Sequence, residues 1–382
     1  MKFEGRIKEL KVQTPEGTAG HLYKNSNFTF NYLPEAATAT QVSVTMDIRK
    51  ESYTRGALFP IFEMNMPEGY VRHYIIERLR KVVPIDDMLF LALSGNNGIG
   101  RISYESKQSD SGPNASVDLN SILHSENSGE LFTHLVDKYL LKTTAGVSGV
   151  QPKVVVPEER GTLTLPSLIV KSGNTEYPNI AVNEFLCMSI AKTAGLRTPD
   201  FWITDDHQLF VMRRFDFSDT HSRLGMEDFS VLTGKSGDRK YEARYESLLR
   251  AAILYEVDVN EMYTQIILSL VVGNGNAHLK NFAILYDDVT GPYELSPIYD
   301  VVCTKAYGDE TTALSINESR NYPNKKYLLK LGKDMGVQNP GEIVERIVEA
   351  VHEVCREQAA RLSELNAIFI PETIFENMKN VT

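Results

Sequence analysis

One stretch limits the possible folds more than any other. Ile266 to Val272 is an almost unbroken apolar run. It is followed by Gly273-Asn274-Gly275-Asn276-Ala277-His278-Leu279-Lys280-Asn281 and a second apolar run, Phe282 to Tyr286. The first run predicts a buried helix closed by Gly273 as its cap, and the second predicts a strand. A turn around Asp287, Asp288, Gly291 and Pro292 leads to Ser296-Pro297-Ile298-Tyr299-Asp300. The segment between the two runs carries a His, a Lys and several Asn, with Leu279 its one long apolar side chain. Such a loop must satisfy many polar groups at the edge of a core. The expected hairpin brings Asn276, His278, Lys280 and Asn281 before its first strand to the same place as Asp300 at the end of its second.

Order and spacing suggest one chemistry. Protein-kinase catalytic loops hold an Asp that takes the substrate hydroxyl proton, an Asn five residues on that binds a metal ion, and a further Asp downstream for a metal. Positions 276, 281 and 300 follow that order. A surface hairpin with polar turn residues has the same spacing, and in that plainer reading His278 braces the loop and Asp287 and Asp288 are solvated.

Two upstream segments fit the same idea. Ala145-Gly146-Val147-Ser148-Gly149-Val150-Gln151-Pro152-Lys153 enters the apolar Val154 to Val156. Small residues let backbone amides approach phosphate, although this is no Walker A sequence and a simple turn explains it too. Leu168-Ile169-Val170-Lys171 puts a cation at the end of an apolar strand, where burial demands a partner. The helix predicted over Ala181 to Ala194 offers Glu184, in the manner of the kinase Lys–Glu pair, with a lysine that reaches solvent as the alternative. Gly95-Asn96-Asn97-Gly98-Ile99-Gly100 reads as a turn between helix and strand, because no basic residue follows it in a strand-to-helix context.

Gly273 to Phe282 together with Ser296 to Asp300 resembles the HipA family of bacterial serine/threonine kinases, the toxin halves of HipA–HipB toxin–antitoxin pairs. Ser148 to Lys153, Ile169 to Lys171 with Tyr177-Pro178-Asn179 and Asn183-Glu184, Arg214-Phe215-Asp216, Tyr241-Glu242 and Met66 to Gly69 share the resemblance. It implies an α+β, bilobal, protein-kinase-like fold. An amino-terminal β-rich subdomain would span 1–108, a nucleotide-binding lobe 109–215 with a linker at 104–118, and a helical catalytic lobe 216–382. It implies ATP and Mg2+ as cofactors. Lys171, Lys153 and the backbone of Gly146, Val147, Ser148, Gly149 and Val150 would meet the phosphates, and Glu184 would hold Lys171 or another loop. Asn281 and Asp300 would hold the metal, with His278 and Lys280 beside the reacting centre. Lys171 from one lobe and Asn281 with Asp300 from the other would then converge on one metal-bound triphosphate.

The resemblance departs at two places. The family's catalytic Asp stands at the position of Asn276. An amide still accepts a hydrogen bond but takes no proton, and general-base help is worth about 10²–10⁴ in rate. ATP is therefore expected to bind while transfer is slow, in either an engineered Asp-to-Asn form or a natural pseudokinase. The family's autophosphorylated loop serine aligns with Gly146, which leaves Ser148 as the one candidate. The implied partners are a protein substrate, such as an aminoacyl-tRNA synthetase, and a HipB-like helix-turn-helix antitoxin, with DNA reached only through the antitoxin. A silent ATP-binding subunit of a repressor complex and a small-molecule kinase are the alternatives.

Composition narrows the setting. A net charge of −10 over 382 residues gives no global basic footprint for direct nucleic-acid binding. Cys187, Cys303 and Cys355 lie far apart without metal-ligand spacing, which fits a reducing compartment. No leader and no membrane-spanning run is evident, so a soluble cytoplasmic protein is expected. Strands are expected over Gly5 to Val12, Gly20 to Tyr23, Phe28 to Tyr32 and Val42 to Met46. Helices are expected after Gly69, over Asp86 to Leu93, from Gly225 to Gly234, and as one long element from Glu342 to Asn366.

Overall fold

A computed structural model describes residues 5–105, 116–140, 151–160, 163–173 and 175–381. The assignments to Gly146, Val147, Ser148, Gly149 and Val150 lie outside the described residues. By contact the chain forms two units, each assembled from separate segments. The first comprises Met1–Ser172, Thr204–Gly237 and Leu285–Pro292; the second comprises Gly173–Ile203, Asp238–Ile284 and Tyr293–Thr382.

The first unit opens with an antiparallel sheet in the order Tyr53–Arg55, Phe28–Tyr32, Gly17–Lys24, Glu9–Thr14, Ser103–Glu105. Its register pairs Leu10 with Leu22 and Leu22 with Phe30. Directly opposed residues share a face, so these three form one apolar row, and all are fully buried. Helices Gly69–Leu79 and Asp87–Ser94 lie where the pattern predicts them, the latter capped by the Asp86 carboxylate, which accepts from Leu89 N at 3.0 Å. Val42 to Met46 is not a strand. Side chains take its backbone donors instead: Tyr32 Oη accepts from Val42 N, and Glu227 Oε1 accepts from Val44 N.

A second sheet in this unit runs Val117–Asp118, Lys153–Arg160, Leu163–Ser172, Leu209–Arg213. Here Lys153 pairs with Lys171, and Lys171 with Phe210. Two buried lysines and an aromatic ring therefore stand in one row across three strands. The helix expected from Gly225 begins later. Gly225–Asp228 is extended, and Asp228 caps Phe229–Leu232 by accepting from Ser230 N and Val231 N. An N-cap residue is itself extended, which fixes the start one residue beyond it.

The second unit is helical, with Ile180–Thr193, Tyr245–Leu254, Val259–Val271, Lys325–Asp334, Pro340–Glu357, Ala359–Glu364 and Phe369–Val381. The long helix expected over Glu342 to Asn366 breaks at Gln358, where the apolar stripe of Ile343, Ile347, Val351 and Val354 meets a polar residue. Val259–Val271 is the central element, buried from Met262 onward and capped by Asp258. It ends as expected at Gly273, whose φ of +75° suits glycine. The second arm of the hairpin is short. Only Glu294–Leu295 is strand, and Asp300 lies in irregular chain rather than at a strand end. Pro297 offers no amide to a ladder, and Ile298 N donates instead to Arg197 O at 2.9 Å. Among the described residues no helix is long and apolar enough to cross a membrane.

Candidate active site

The loop after Val259–Val271 is built from inside the second unit. Gly275 has no room for a side chain: a Cβ there would come within 2.6 Å of Thr311 O. Its amide donates to Thr304 Oγ1 at 2.7 Å, and Asn276 N donates to Asn274 Oδ1 at 3.1 Å. Tyr245 Oη donates to Ala277 O at 3.0 Å and Tyr299 Oη to Lys280 O at 2.7 Å, so two phenols fix the loop from behind. Leu279–Asn281 then makes a single 3-10 turn. His278, Lys280 and Asn281 are buried, whereas Asn276 is half-buried.

Asn281 joins the loop to the downstream acid. Its Oδ1 accepts from His278 N at 3.0 Å, and its Nδ2 donates to Asp300 Oδ2 at 3.2 Å. Asp300 has φ +58°, a conformation that a non-glycine residue holds only where its surroundings impose it. The surroundings are visible. Asn183, fully buried on Ile180–Thr193, accepts from Cys303 N at 2.8 Å and donates to Cys303 O at 3.1 Å. One side-chain amide thus clamps the backbone just after Asp300. Sequence reasoning did not assign Asn183 this role, because nothing local to it points to residue 303.

The donor set fits a magnesium ion. Asn281 and Asp300 supply hard oxygens, and a carbonyl-type oxygen that accepts one hydrogen bond retains a second lone pair. Among the described residues no group of three or more His, Cys, Asp or Glu could cage a metal. Mg2+ needs none, since it takes one or two protein carboxylates and fills its shell with water and substrate phosphate. The cysteines are no rival site: burial pushes the Cys303 thiol up to about 12 and Cys355 up to about 11, far from thiolate chemistry.

The first unit holds the other assigned cations. Lys153 and Lys171 are each 2 % exposed, and Lys171 Nζ lies 5.7 Å from the Phe210 ring centroid. Glu184, the expected partner of Lys171, is fully buried in the second unit. The Gly95–Gly100 segment is a braced turn, as expected. Arg214 and Arg223 both donate to Gly98 O, at 2.7 and 2.6 Å, and Gly100 N donates to Asp216 at 2.8 Å. Burial pulls the Asp216 carboxyl up, but Arg214, Arg223 and the Gly100 amide outweigh it and hold the group low.

Glu227 was not singled out by the sequence. It accepts from Tyr286 Oη at 2.6 Å, Ser43 Oγ at 2.7 Å and Val44 N at 2.8 Å, and among the described residues no cation pairs with it. Burial pushes its carboxyl up to about 7 against these three donors.

The arrangement is that of a kinase-like α+β fold, β-rich at its amino end and helical at its carboxy end. The family model of the HipA-like C-terminal domain matches residues 145–359, and that of the HipA N-terminal domain matches 10–105. The chain belongs to the HipA family. It superposes on a chain of the Shewanella oneidensis HipA, HipB and operator DNA complex with a TM-score of 0.67, covering 97 % of this chain and 96 % of that one at 18 % identity. It is 27 % identical to Y4dM of Sinorhizobium fredii, which bears a kinase name, over 303 residues, 72 % of this chain and 68 % of that protein. It is 23 % identical over 256 residues to the serine/threonine-protein kinase toxin HipA of Shewanella oneidensis, 56 % of this chain and 58 % of that protein.

Proposed function

We propose that this chain is an ATP- and Mg2+-dependent serine/threonine protein kinase of toxin type, with phosphoryl transfer held low by Asn276. The observation that carries the reading is the Asn281–Asp300 hydrogen bond, which brings together two metal-ligand candidates 19 residues apart. Asn281 and Asp300 give oxygens to Mg2+, and the metal, when bound, offsets charge on the transferred phosphoryl group. In this reading Lys171 and Lys153 are the residues assigned to phosphate charge, Glu184 is the carboxylate assigned to Lys171, and residues 146–150, outside the described residues, supply backbone amides. Lys280 stands beside the reacting centre and His278 braces the loop. Residue 276 meets the acceptor hydroxyl. As Asn it can align that hydroxyl but cannot take its proton.

The substrate in this reading is a cytoplasmic protein of translation, such as an aminoacyl-tRNA synthetase. The inhibitor is a HipB-like helix-turn-helix antitoxin, and DNA is reached only through it. Ser148 is the candidate for self-phosphorylation. The test is transfer from radiolabelled ATP by the native chain and by Asn276→Asp, on themselves and on a cell lysate. The substitution is expected to raise labelling by about 10²–10⁴. No label from either form sinks the kinase reading. A silent subunit of a repressor complex is the second reading, favoured by Asn276 itself. Label transferred by the native chain above the level of its Asp300→Ala variant excludes it.

A further inference from the structure

Tyr241 closes the 3-10 turn Gly237–Tyr241. Its hydroxyl donates to Asn276 Oδ1 at 3.3 Å, and its ring meets His278 edge-on with centroids 5.0 Å apart. The phenol is held from the backbone side as well. Arg320 Nη2 donates to Tyr241 O at 3.1 Å. Immediately downstream, Ser315 N donates to Ala243 O at 3.2 Å and Tyr245 N to Ser315 O at 3.1 Å. The chain on which the ring sits is thus tied to residues 315–320 of its own unit.

Asn276 Oδ1 is the atom to which an acceptor hydroxyl would donate. Tyr241 already places a hydroxyl there. We infer that Tyr241 is the resident occupant of the acceptor-hydroxyl position, and that a substrate hydroxyl must displace it to react. This rests on the kinase reading of the loop. At 3.3 Å the contact is longer than an ordinary hydroxyl–oxygen hydrogen bond of about 2.5–3.0 Å, and a neutral bond of this kind has a small net worth. A substrate bound by further contacts can therefore exchange with it, whereas water, which brings no such contacts, competes poorly. The device restrains ATP hydrolysis while no substrate is present, a side reaction that closed active sites suppress. In Asn276→Asp, the form used below, the water oxygen bonds to the γ-phosphorus, the bond from phosphorus to the β,γ-bridging oxygen breaks, ADP leaves, and the water proton passes to the introduced carboxylate.

The test uses water as the acceptor, so no protein substrate is needed. Phosphate release from Mg2+-ATP is compared for Asn276→Asp and for Asn276→Asp with Tyr241→Phe. The Phe ring keeps its packing on His278 and loses only the hydroxyl. Release is expected to rise roughly 10- to 100-fold, the range set by one hydrogen bond to a charged acceptor. An unchanged or slower rate overturns the proposal while leaving the kinase reading intact. The contact itself is read without ATP, from the NMR titration of 13Cζ-labelled tyrosine, with the Tyr241 signal assigned by its loss in Tyr241→Phe. A carboxylate acceptor raises a phenol pKa, so that signal should titrate at higher pH in Asn276→Asp than in the native chain. No difference overturns the proposal by removing the contact. If the contact is seen but no variant turns over ATP, the catalytic reading of the loop falls and the proposal falls with it.

Discussion

Two loops of this protein look alike in sequence and do opposite things. Gly95 to Gly100 and Gly273 to Asn281 both follow a buried helix, both begin at a glycine of positive φ, and both are rich in Gly and Asn. In the first, the outward carbonyls are consumed. Arg214 donates to Asn97 O and Gly98 O, Arg223 donates to Gly98 O, and the Ile99 and Gly100 amides go to Asn65 and Asp216. In the second, hydrogen bonds from Tyr245 and Tyr299 hold the loop from behind, and Thr304 takes the Gly275 amide. Asn276 is left half-buried, and among the described residues a tyrosine hydroxyl meets its side-chain oxygen. A Gly/Asn loop becomes a candidate site when its supports leave one face available, and composition does not report which face is used.

The largest effect expected from this contrast is Asn276→Asp, at about 10²–10⁴ in phosphoryl transfer, whereas no substitution in Gly95 to Gly100 should alter the rate per folded molecule. A comparable loss of rate on changing Asn97 would erase the distinction. Next comes Arg214→Ala, which strands the buried Asp216 carboxylate. It should reduce unfolding stability by about 3–5 kcal/mol, read by denaturant titration, with turnover of the surviving folded Asn276→Asp protein unchanged.

Glu227 sharpens the comparison from the electrostatic side, because it is a buried acid that, among the described residues, lacks the cation that Asp216 has. Its folded pKa is raised to about 7, well above the ordinary carboxylate range. The folded state therefore binds the extra proton between these values, and stability falls as pH rises through that window. Glu227→Gln, which can keep the Tyr286, Val44 and Ser43 contacts, should flatten that fall, by up to roughly 3 kcal/mol between pH 4 and 8. An unaltered slope in urea melts across this range would show that another group sets it. Smallest is Asn183→Ala, which leaves the Cys303 amide and carbonyl without their buried partner. It should lower stability by about 1–3 kcal/mol and raise the Mg2+ concentration needed for half-maximal turnover of the Asn276→Asp form. Lost stability with an unshifted Mg2+ requirement would mean that Asn183 does not position Asp300.

Much of the local structure was legible. The helix near Asp86 to Leu93, Gly273 as a stop and the apolar face of Pro340–Glu357 follow from side-chain preference and period alone. Two departures share a cause. Val42 to Met46 and the arm toward Asp300 both looked like regular elements, and each was redirected by partners outside the segment: Tyr32 and Glu227 for the first, Arg197 with Asn183 for the second. The start at Gly225 was moved locally, by the Asp228 cap. The units themselves are stitched from separate segments, so no compositional boundary marks them.

The sequence by itself determined the family and the helix–loop–strand around residue 276, because these depend on residue type and short-range spacing. Only the tertiary structure decided that Asn183 holds the chain beside Asp300, that Tyr286, Ser43 and Val44 all donate to Glu227 and that Tyr241 rests on Asn276. Each of those is a hydrogen bond between residues that burial alone brings together, and burial is a property of the whole packed unit.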